Sequence, residues 1–213
     1  MYWYREPDRG YGAGAHQLFN TVAQGTTWRD AAAALFDGTG SMGNGGAMRA
    51  APIGGYFAAD YERVVIESRK SAEVTHTNPE GKAGAIAVAL AAAWANNHRG
   101  GAMDRADFFT TVLEQTPQGE TRSGIERARD MPDASLATAA GTLGSGQRVL
   151  AQDTVPFSLW CAIRHMDDFL EAMWNTVAGL GDRDTTCAIV GGIVALSCPE
   201  LPAEWQKARE PLP

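Results

Sequence analysis

The chain has 213 residues, of which 45% are hydrophobic and 20% charged, and its formal net charge is −7. These values predict one globular domain over residues 1–213, long enough to bury a sizeable core. The acidic balance argues against a general nucleic-acid binder, because neutralising phosphates requires clustered lysine and arginine.

The cysteines and the apolar runs indicate the compartment. Cys161, Cys187 and Cys198 are odd in number and lack CxxC spacing, so we expect reduced core thiols. The longest apolar runs, 83–95 and 186–198, are too short to cross a bilayer, and the first eight residues lack the apolar core of a signal peptide. We therefore expect a cytoplasmic protein with no membrane partner.

Helical patterns dominate the first half of the chain. Thr27 is predicted to cap a short helix, because Asp30 follows three residues later. Residues 52–55, Pro-Ile-Gly-Gly, are predicted to break the next run. Helices are then predicted over 60–74 and 80–97. The second is rich in alanine, which permits close packing of its neighbours.

The second half shows the same periodicity. Asp104 is predicted to cap a helix that ends before Pro117. Four more helices are predicted, over 119–131, 157–164, 167–177 and 184–196. Because no segment alternates apolar and polar residues as a strand would, we predict a compact, all-α, multi-helix domain.

A glycine-rich loop is the first candidate for binding. Residues 38–46 contain five glycines, and residues 40–46 read Gly-Ser-Met-Gly-Asn-Gly-Gly. Such a stretch can turn several backbone N–H groups toward an anion, and Ser41 and Asn44 can donate to a phosphate or a ribose. It is not a P-loop, because no Gly-Lys-Ser/Thr follows. A plain connector between helices is the alternative.

A second candidate is the carboxylate turn, Gly179 to Thr185, which precedes an apolar helix. Asp182, Asp184 and Thr185 offer only oxygen ligands, which magnesium and manganese prefer. The alternative is that one aspartate merely caps the helix. Magnesium takes six ligands, so further ligands would have to come from elsewhere.

Two basic residues have open roles. His76 follows a predicted helix and is either a cation at its C-terminus or a ligand contact. Arg49 either meets a phosphate or pairs with an acidic side chain inside the fold, and we expect the second.

These motifs, in this order, resemble the ADP-ribosylglycohydrolase family, and the resemblance covers nearly the whole chain. The stretches that carry it are Arg-Gly-Tyr-Gly at 9–12, the glycine loop continued through Met-Arg-Ala-Ala-Pro-Ile-Gly at 48–54, Val-Thr-His at 74–76, and Gly-Asp-Arg-Asp-Thr at 181–185.

The resemblance implies an all-α fold with a two-magnesium centre, or one that takes manganese. Asp182, Asp184 and Thr185 match the family's C-terminal metal ligands. The positions that match its ADP-ribose cradle are Ser41, Gly43, Asn44 and Gly45, with His76 as a further ligand contact. The implied activity is hydrolysis of the N- or O-glycosidic bond at the distal ribose of an ADP-ribosylated protein or small molecule.

Three features depart from the family's pattern. Leu180 stands where a second glycine is usual, and Arg183 stands where threonine is usual. No Thr-Asp-Asp cluster, which supplies the other metal ligands and the catalytic carboxylate, is present, so we expect an N-terminally truncated domain. The alternatives are an inactive fragment that only binds ADP-ribose, an oligomer that completes the site with another chain, and a structural member like the lens crystallins.

Overall fold

The computed structural model describes residues 10–198 and 200–210, and this part of the chain folds into thirteen α-helices. No β-sheet is found within these residues; one isolated bridge joins Gly43 and Leu150. The all-α prediction is confirmed. The helices are α1 Ala13–Ala23, α2 Trp28–Ala33, α3 Gly45–Met48, α4 Ala51–Tyr56, α5 Tyr61–Glu73, α6 Pro79–Asn97, α7 Arg105–Gln115, α8 Glu120–Arg129, α9 Leu136–Leu143, α10 Ala151–Arg164, α11 Phe169–Ala178, α12 Arg183–Ser197 and α13 Ala203–Ala208.

Helix α6 forms the centre of the core. Every residue from 83 to 95 is buried, as expected of a helix that is apolar all round. Seven helices pack against it: α3, α4, α5, α7, α8, α10 and α12. Its alanines keep the surface of α6 flat, so these helices can approach its backbone closely. Asn78 caps its first turn by accepting a hydrogen bond from the Glu80 N–H at 2.9 Å.

Two predicted helix starts are confirmed by their capping hydrogen bonds. The Thr27 hydroxyl accepts from the Asp30 N–H at 3.2 Å. The Asp104 carboxylate accepts from the N–H groups of Ala106 and Asp107 at 2.8 and 3.2 Å. Side-chain caps are local interactions, which is why sequence spacing alone located them.

The predicted break at 52–55 is wrong, because α4 runs through it. Pro52 lies in the first turn of α4, where a missing N–H costs nothing. Gly54 allows α4 to touch α6, since a Cβ at this position would overlap the carbonyl oxygen of Ala89. The glycine therefore serves helix packing rather than chain reversal.

Helix α10 begins six residues before the predicted 157. Pro156 lies inside the helix and is buried, although proline usually ends a helix. Its ring packs where α8 crosses, against Gly124. The first turn of α10 is fixed by a distant contact, because the Ala151 N–H donates to the Met42 carbonyl at 2.9 Å. Tertiary contacts thus extend the helix beyond its local signal.

All three cysteines are free thiols. Cys161 and Cys198 are buried and Cys187 is partly exposed, so two of the three are core thiols as expected. Burial raises the pKa of the Cys161 thiol to about 12. Within the described residues, no helix is both long enough and apolar enough to span a membrane.

Candidate active site

The glycine loop is held in a tight conformation by its surroundings. Gly40 has φ of +71°, and a Cβ there would overlap the Thr77 hydroxyl, so only glycine fits. The Ser41 hydroxyl is buried and accepts from the Gly43 N–H at 3.2 Å. The Asn44 N–H donates to the Val149 carbonyl at 3.1 Å, and α3 begins at the next residue. The loop is therefore anchored to the segment before α10 and is more than a flexible connector.

Asn44 joins the glycine loop to the carboxylate turn. Its side chain is buried, and its Nδ2 donates to Asp182 Oδ2 at 2.7 Å and to Thr154 Oγ1 at 3.0 Å. These partners lie 138 and 110 residues further along the chain. The fold thus brings the two sequence motifs into direct contact.

The carboxylate turn has a strained backbone. Leu180 and Gly181 have φ of +60° and +70°, and the Leu180 side chain is exposed. A left-handed conformation is costly for leucine, and glycine would adopt it without this cost. The Asp182 N–H donates to the Ser145 carbonyl at 3.0 Å, which fixes the turn against the loop before α10.

Asp182 and Asp184 face each other at the start of α12. Asp182 occupies the capping position, yet its side chain makes no capping hydrogen bond and bonds Asn44 instead. Burial, with a hydrogen bond to Asp184, raises the pKa of Asp182, whereas that same hydrogen bond lowers the pKa of Asp184. The negative charge of Asp184 also disfavours the ionised form of Asp182. A cation bound between the two carboxylates would offset their repulsion. Simple capping therefore does not account for Asp182.

The oxygen ligands on this turn fit one side of a hard cation. Asp182 and Asp184 supply carboxylates, and the buried Thr185 lies beside them with its hydroxyl 3.5 Å from Met48 Sδ. Residues 10–198 and 200–210 bring no group of three or more His, Cys, Asp or Glu side chains together as a metal site. The donor set matches magnesium in kind, and further ligands would have to be water or groups beyond this turn.

His76 lies directly against the glycine loop. A Cβ on Gly43 would stand 3.3 Å from its Nε2, and one on Gly45 would stand 3.3 Å from its Cε1. Burial, reinforced by the Arg49 charge, lowers the pKa of His76 to about 4. A pKa this low leaves the imidazole neutral near pH 7 and argues against the role of a cation at the end of α5.

A chain of hydrogen bonds orients the His76 ring. Arg49 Nη2 donates to Thr75 Oγ1 at 2.7 Å, and Thr75 Oγ1 lies 2.6 Å from His76 Nδ1. Because Arg49 can only donate, the Thr75 proton remains available for Nδ1. The imidazole proton is on Nε2 where Thr75 donates to Nδ1, and on Nδ1 where Thr75 accepts; in both tautomers the ring is held with Nε2 facing the glycine loop.

The prediction that Arg49 pairs with an acidic side chain is wrong: among the described residues, its partners are two carbonyls and a hydroxyl. Its guanidinium donates to the carbonyls of Gly45 and Ser71 at 3.1 and 2.9 Å, as well as to Thr75. Burial lowers the pKa of Arg49. Arg49 therefore ties the start of α3 to the end of α5 and holds the loop on His76.

The structure brings together the predicted residues of the glycine loop and the carboxylate turn. Those of the loop and its neighbour are Ser41, Gly43, Asn44, Gly45 and His76, and those across from them are Asp182, Asp184 and Thr185.

The sequence did not predict a role for Thr154, the second partner of Asn44, because an isolated threonine within a helix gives no signal. Arg183 is exposed at the first position of α12. Of the motif at 9–12, Arg9 lies outside the described residues, and Gly12 precedes α1.

Fold and site together define an all-α protein in which a glycine loop meets a pair of carboxylates. A family model for ADP-ribosylglycohydrolase matches residues 1–211. The chain belongs to the ADP-ribosylglycohydrolase family.

Three relatives illustrate the match. Human ADP-ribosylhydrolase ARH3 is 29% identical, over 97% of this chain and 65% of its own length. The Gallus gallus ADP-ribosylhydrolase ARH3 is 31% identical, over 90% of this chain and 45% of its own length. An uncharacterized protein of Archaeoglobus fulgidus is 27% identical, over 95% of this chain and 63% of its own length. The chain thus spans between 45% and 65% of the length of these relatives.

Proposed function

We propose that this protein hydrolyses the N- or O-glycosidic bond at the distal ribose of an ADP-ribosylated substrate and so releases ADP-ribose. The observation that carries the proposal is the 2.7 Å hydrogen bond between Asn44 Nδ2 and Asp182 Oδ2. It places an anion-binding type of loop beside two carboxylates, so a diphosphate and a reacting ribose could occupy adjacent parts of one site. Family membership and the names of the ARH3 relatives support the same activity.

The loop and His76 would bind and orient the ligand. The backbone N–H groups of Gly45 and Gly46, in the first turn of α3, suit a diphosphate, since glycine permits close approach of an anion. Those of Gly43 and Asn44 already donate to Ser41 and Val149. The Ser41 hydroxyl can donate to phosphate or ribose. The neutral imidazole of His76 can donate or accept at Nε2 without adding charge, and Arg49 keeps the ring in place through Thr75.

Asp182, Asp184 and Thr185 would hold magnesium, or manganese in its place. When bound, the metal would orient the ribose hydroxyls and a water molecule and lower the pKa of that water. The Asp182 carboxylate, held by Asn44, would also favour the positive charge that develops on the ribose in an oxocarbenium-like transition state. The carboxylate that activates the water is not assigned to a described residue.

The direct test is ADP-ribose release from ADP-ribosyl-arginine, measured on the 213-residue protein with magnesium and with chelator. We expect release only with magnesium. Asp184→Asn should abolish that release while leaving the fold intact, because it removes a negative charge from the carboxylate pair. Asp133→Asn, an equal change at an exposed turn, is the matched control. Magnesium-dependent release by Asp184→Asn at the wild-type rate would contradict the assignment.

The alternative function is binding of ADP-ribose without hydrolysis. It is favoured by the fact that the described residues gather only two carboxylates and one hydroxyl at this site. Calorimetric titration with ADP-ribose distinguishes the two functions. Saturable binding that depends on Asn44, together with no release from a folded sample, would support the binding protein over the hydrolase.

A further inference from the structure

Thr154 is the buried partner of Asn44, the residue that joins the glycine loop to the carboxylate turn. It lies on α10 with none of its surface exposed, and its Oγ1 accepts a hydrogen bond from Asn44 Nδ2 at 3.0 Å. The proposed hydrolysis assigns no role to Thr154. Because its side chain is fully buried, any effect on the reaction would have to pass through Asn44.

The direction of the hydrogen bonds makes Thr154 an acceptor toward Asn44. Its hydroxyl donates to the carbonyl of Leu150, four residues earlier, at 2.7 Å. A hydroxyl has one proton, so with that proton on Leu150 the oxygen can only accept from a further partner. Asn44 must therefore present its amide nitrogen, and not its carbonyl oxygen, to Thr154.

Two acceptors fix the amide plane of Asn44. Its backbone is already held, because its N–H donates to the Val149 carbonyl at 3.1 Å and its carbonyl accepts from the Met48 N–H at 2.9 Å. The last torsion of an asparagine side chain has broad energy wells, so a single hydrogen bond would leave the amide group free to rotate. With one N–H on Thr154 and the other on Asp182, the amide group has one orientation.

The backbone of Asp182 is held independently of Thr154. Its N–H donates to the Ser145 carbonyl at 3.0 Å, and its carbonyl accepts from the Thr186 hydroxyl at 3.0 Å. Loss of the Thr154 hydroxyl would leave this turn in place and loosen only the side-chain bond between Asn44 and Asp182. The hydroxyl therefore influences the direction of the carboxylate rather than the position of the turn.

We propose that Thr154 is a positioning residue, which through Asn44 directs the Asp182 carboxylate toward the metal ion of the proposed hydrolase. The inference rests on the proposed function, because it takes Asp182 as a metal ligand. Loss of a partner that orients a metal ligand typically costs about 10- to 100-fold in metal affinity. Thr154 acts one residue further from the metal than Asn44, so we expect an effect at the lower end of this range.

The test is calorimetric titration of the full chain with Mn²⁺, which shares the preference of Mg²⁺ for oxygen ligands. Thr154→Val should weaken binding roughly 10-fold, because valine offers Asn44 no acceptor. Thr154→Ser keeps the hydroxyl and should bind within about threefold of the wild type. Thr176→Val is the matched control, because Thr176 is equally buried and its hydroxyl also donates to a carbonyl four residues earlier, that of Ala172, at 2.7 Å. It should change the dissociation constant less than about twofold.

Thermal unfolding in chelator distinguishes a loss of metal affinity from a loss of folded protein. Both valine variants lose a buried hydroxyl, so equal losses of Mn²⁺ affinity in the two would indicate a general structural effect and overturn the proposal. An affinity loss in Thr154→Ser as large as that in Thr154→Val would also overturn it. If the wild type binds no Mn²⁺, the proposal and the metal assignment fail together. If the wild type and Thr154→Val bind Mn²⁺ equally well, only the role of Thr154 fails.

Discussion

Asn44 is the residue through which the two halves of the candidate site are joined. Asn44→Ala removes its hydrogen bonds to Asp182 and Thr154. We expect the free energy of unfolding to fall by about 1–3 kcal/mol, because buried polar groups lose their partner. The free energy of ADP-ribose binding should weaken by more than the free energy of unfolding falls, since the loop is no longer held against the carboxylates.

Calorimetry with ADP-ribose and urea denaturation measure the two effects of Asn44→Ala separately. Asn175→Ala is the matched control, because Asn175 is half-buried on α11 and its side-chain hydrogen bonds go to Glu171 in the same helix. An unaltered dissociation constant in Asn44→Ala would count against the cradle assignment.

The neutral His76 makes stability depend on pH in a predictable direction. Its folded-state pKa of about 4 lies below the ordinary value of 6.5, so the unfolded chain takes up a proton first as the pH falls. Stability contributed by His76 is full above pH 6.5 and is lost progressively between pH 6.5 and 4. Between pH 7.5 and 5 this loss should reach about 2 kcal/mol.

Urea denaturation of the wild type and of His76→Asn at both pH values isolates this effect. Asn can form a hydrogen bond with Thr75, as Nδ1 does, and it does not titrate. The variant should lose about 2 kcal/mol less than the wild type over this pH interval. Equal losses in the two proteins would show that folding does not lower the pKa of His76 and would refute the burial of a neutral imidazole at this position.

Among the secondary-structure elements, α4 depends most on the absence of side chains. Gly54→Ala would drive a Cβ into the Ala89 carbonyl and the Ala92 side chain of α6. We expect a loss of about 1–3 kcal/mol in the free energy of unfolding, because the helices must separate. Gly141→Ala is the matched control in α9, where an added Cβ meets nothing within 4 Å. It should stabilise the protein by up to about 1 kcal/mol, because alanine favours the helix. Equal effects in both variants would refute the packing role of Gly54.

The elements also show what the sequence could and could not predict. Thr27 and Asp104 were located correctly as caps, because a cap is set by residues three apart. The break predicted at 52–55 and the helix start predicted at 157 are wrong, because α4 and the first turns of α10 are fixed by contacts with α6, α8 and the glycine loop. The two site motifs were recognised from their residues, but the Asn44 bond to Asp182 depends on how α6, α10 and α12 pack, which local patterns do not encode.

Across the whole molecule, the buried apolar residues form two clusters. The larger is centred on α6 and includes side chains from every helix from α3 to α12. The smaller contains Leu18, Ala31, Ala32 and Leu35 from the α1–α2 region. The site motifs all belong to elements around the larger cluster. We therefore expect its unfolding to remove the site and most of the helical structure in one step.

The prediction of a single domain can be tested on this larger cluster. Ile86→Ala in α6 should lower the free energy of unfolding by about 2–5 kcal/mol, because Ile86 is fully buried among its neighbours. Ile66→Ala is the matched control: Ile66 is 45% exposed on α5, so the change should be well below that range. Far-UV circular dichroism reports the helices, and fluorescence of the buried Trp94 and Trp160 reports the core. In one cooperative domain Ile86→Ala shifts both transitions equally, whereas two separated transitions would show that the helices around α6 unfold as independent units.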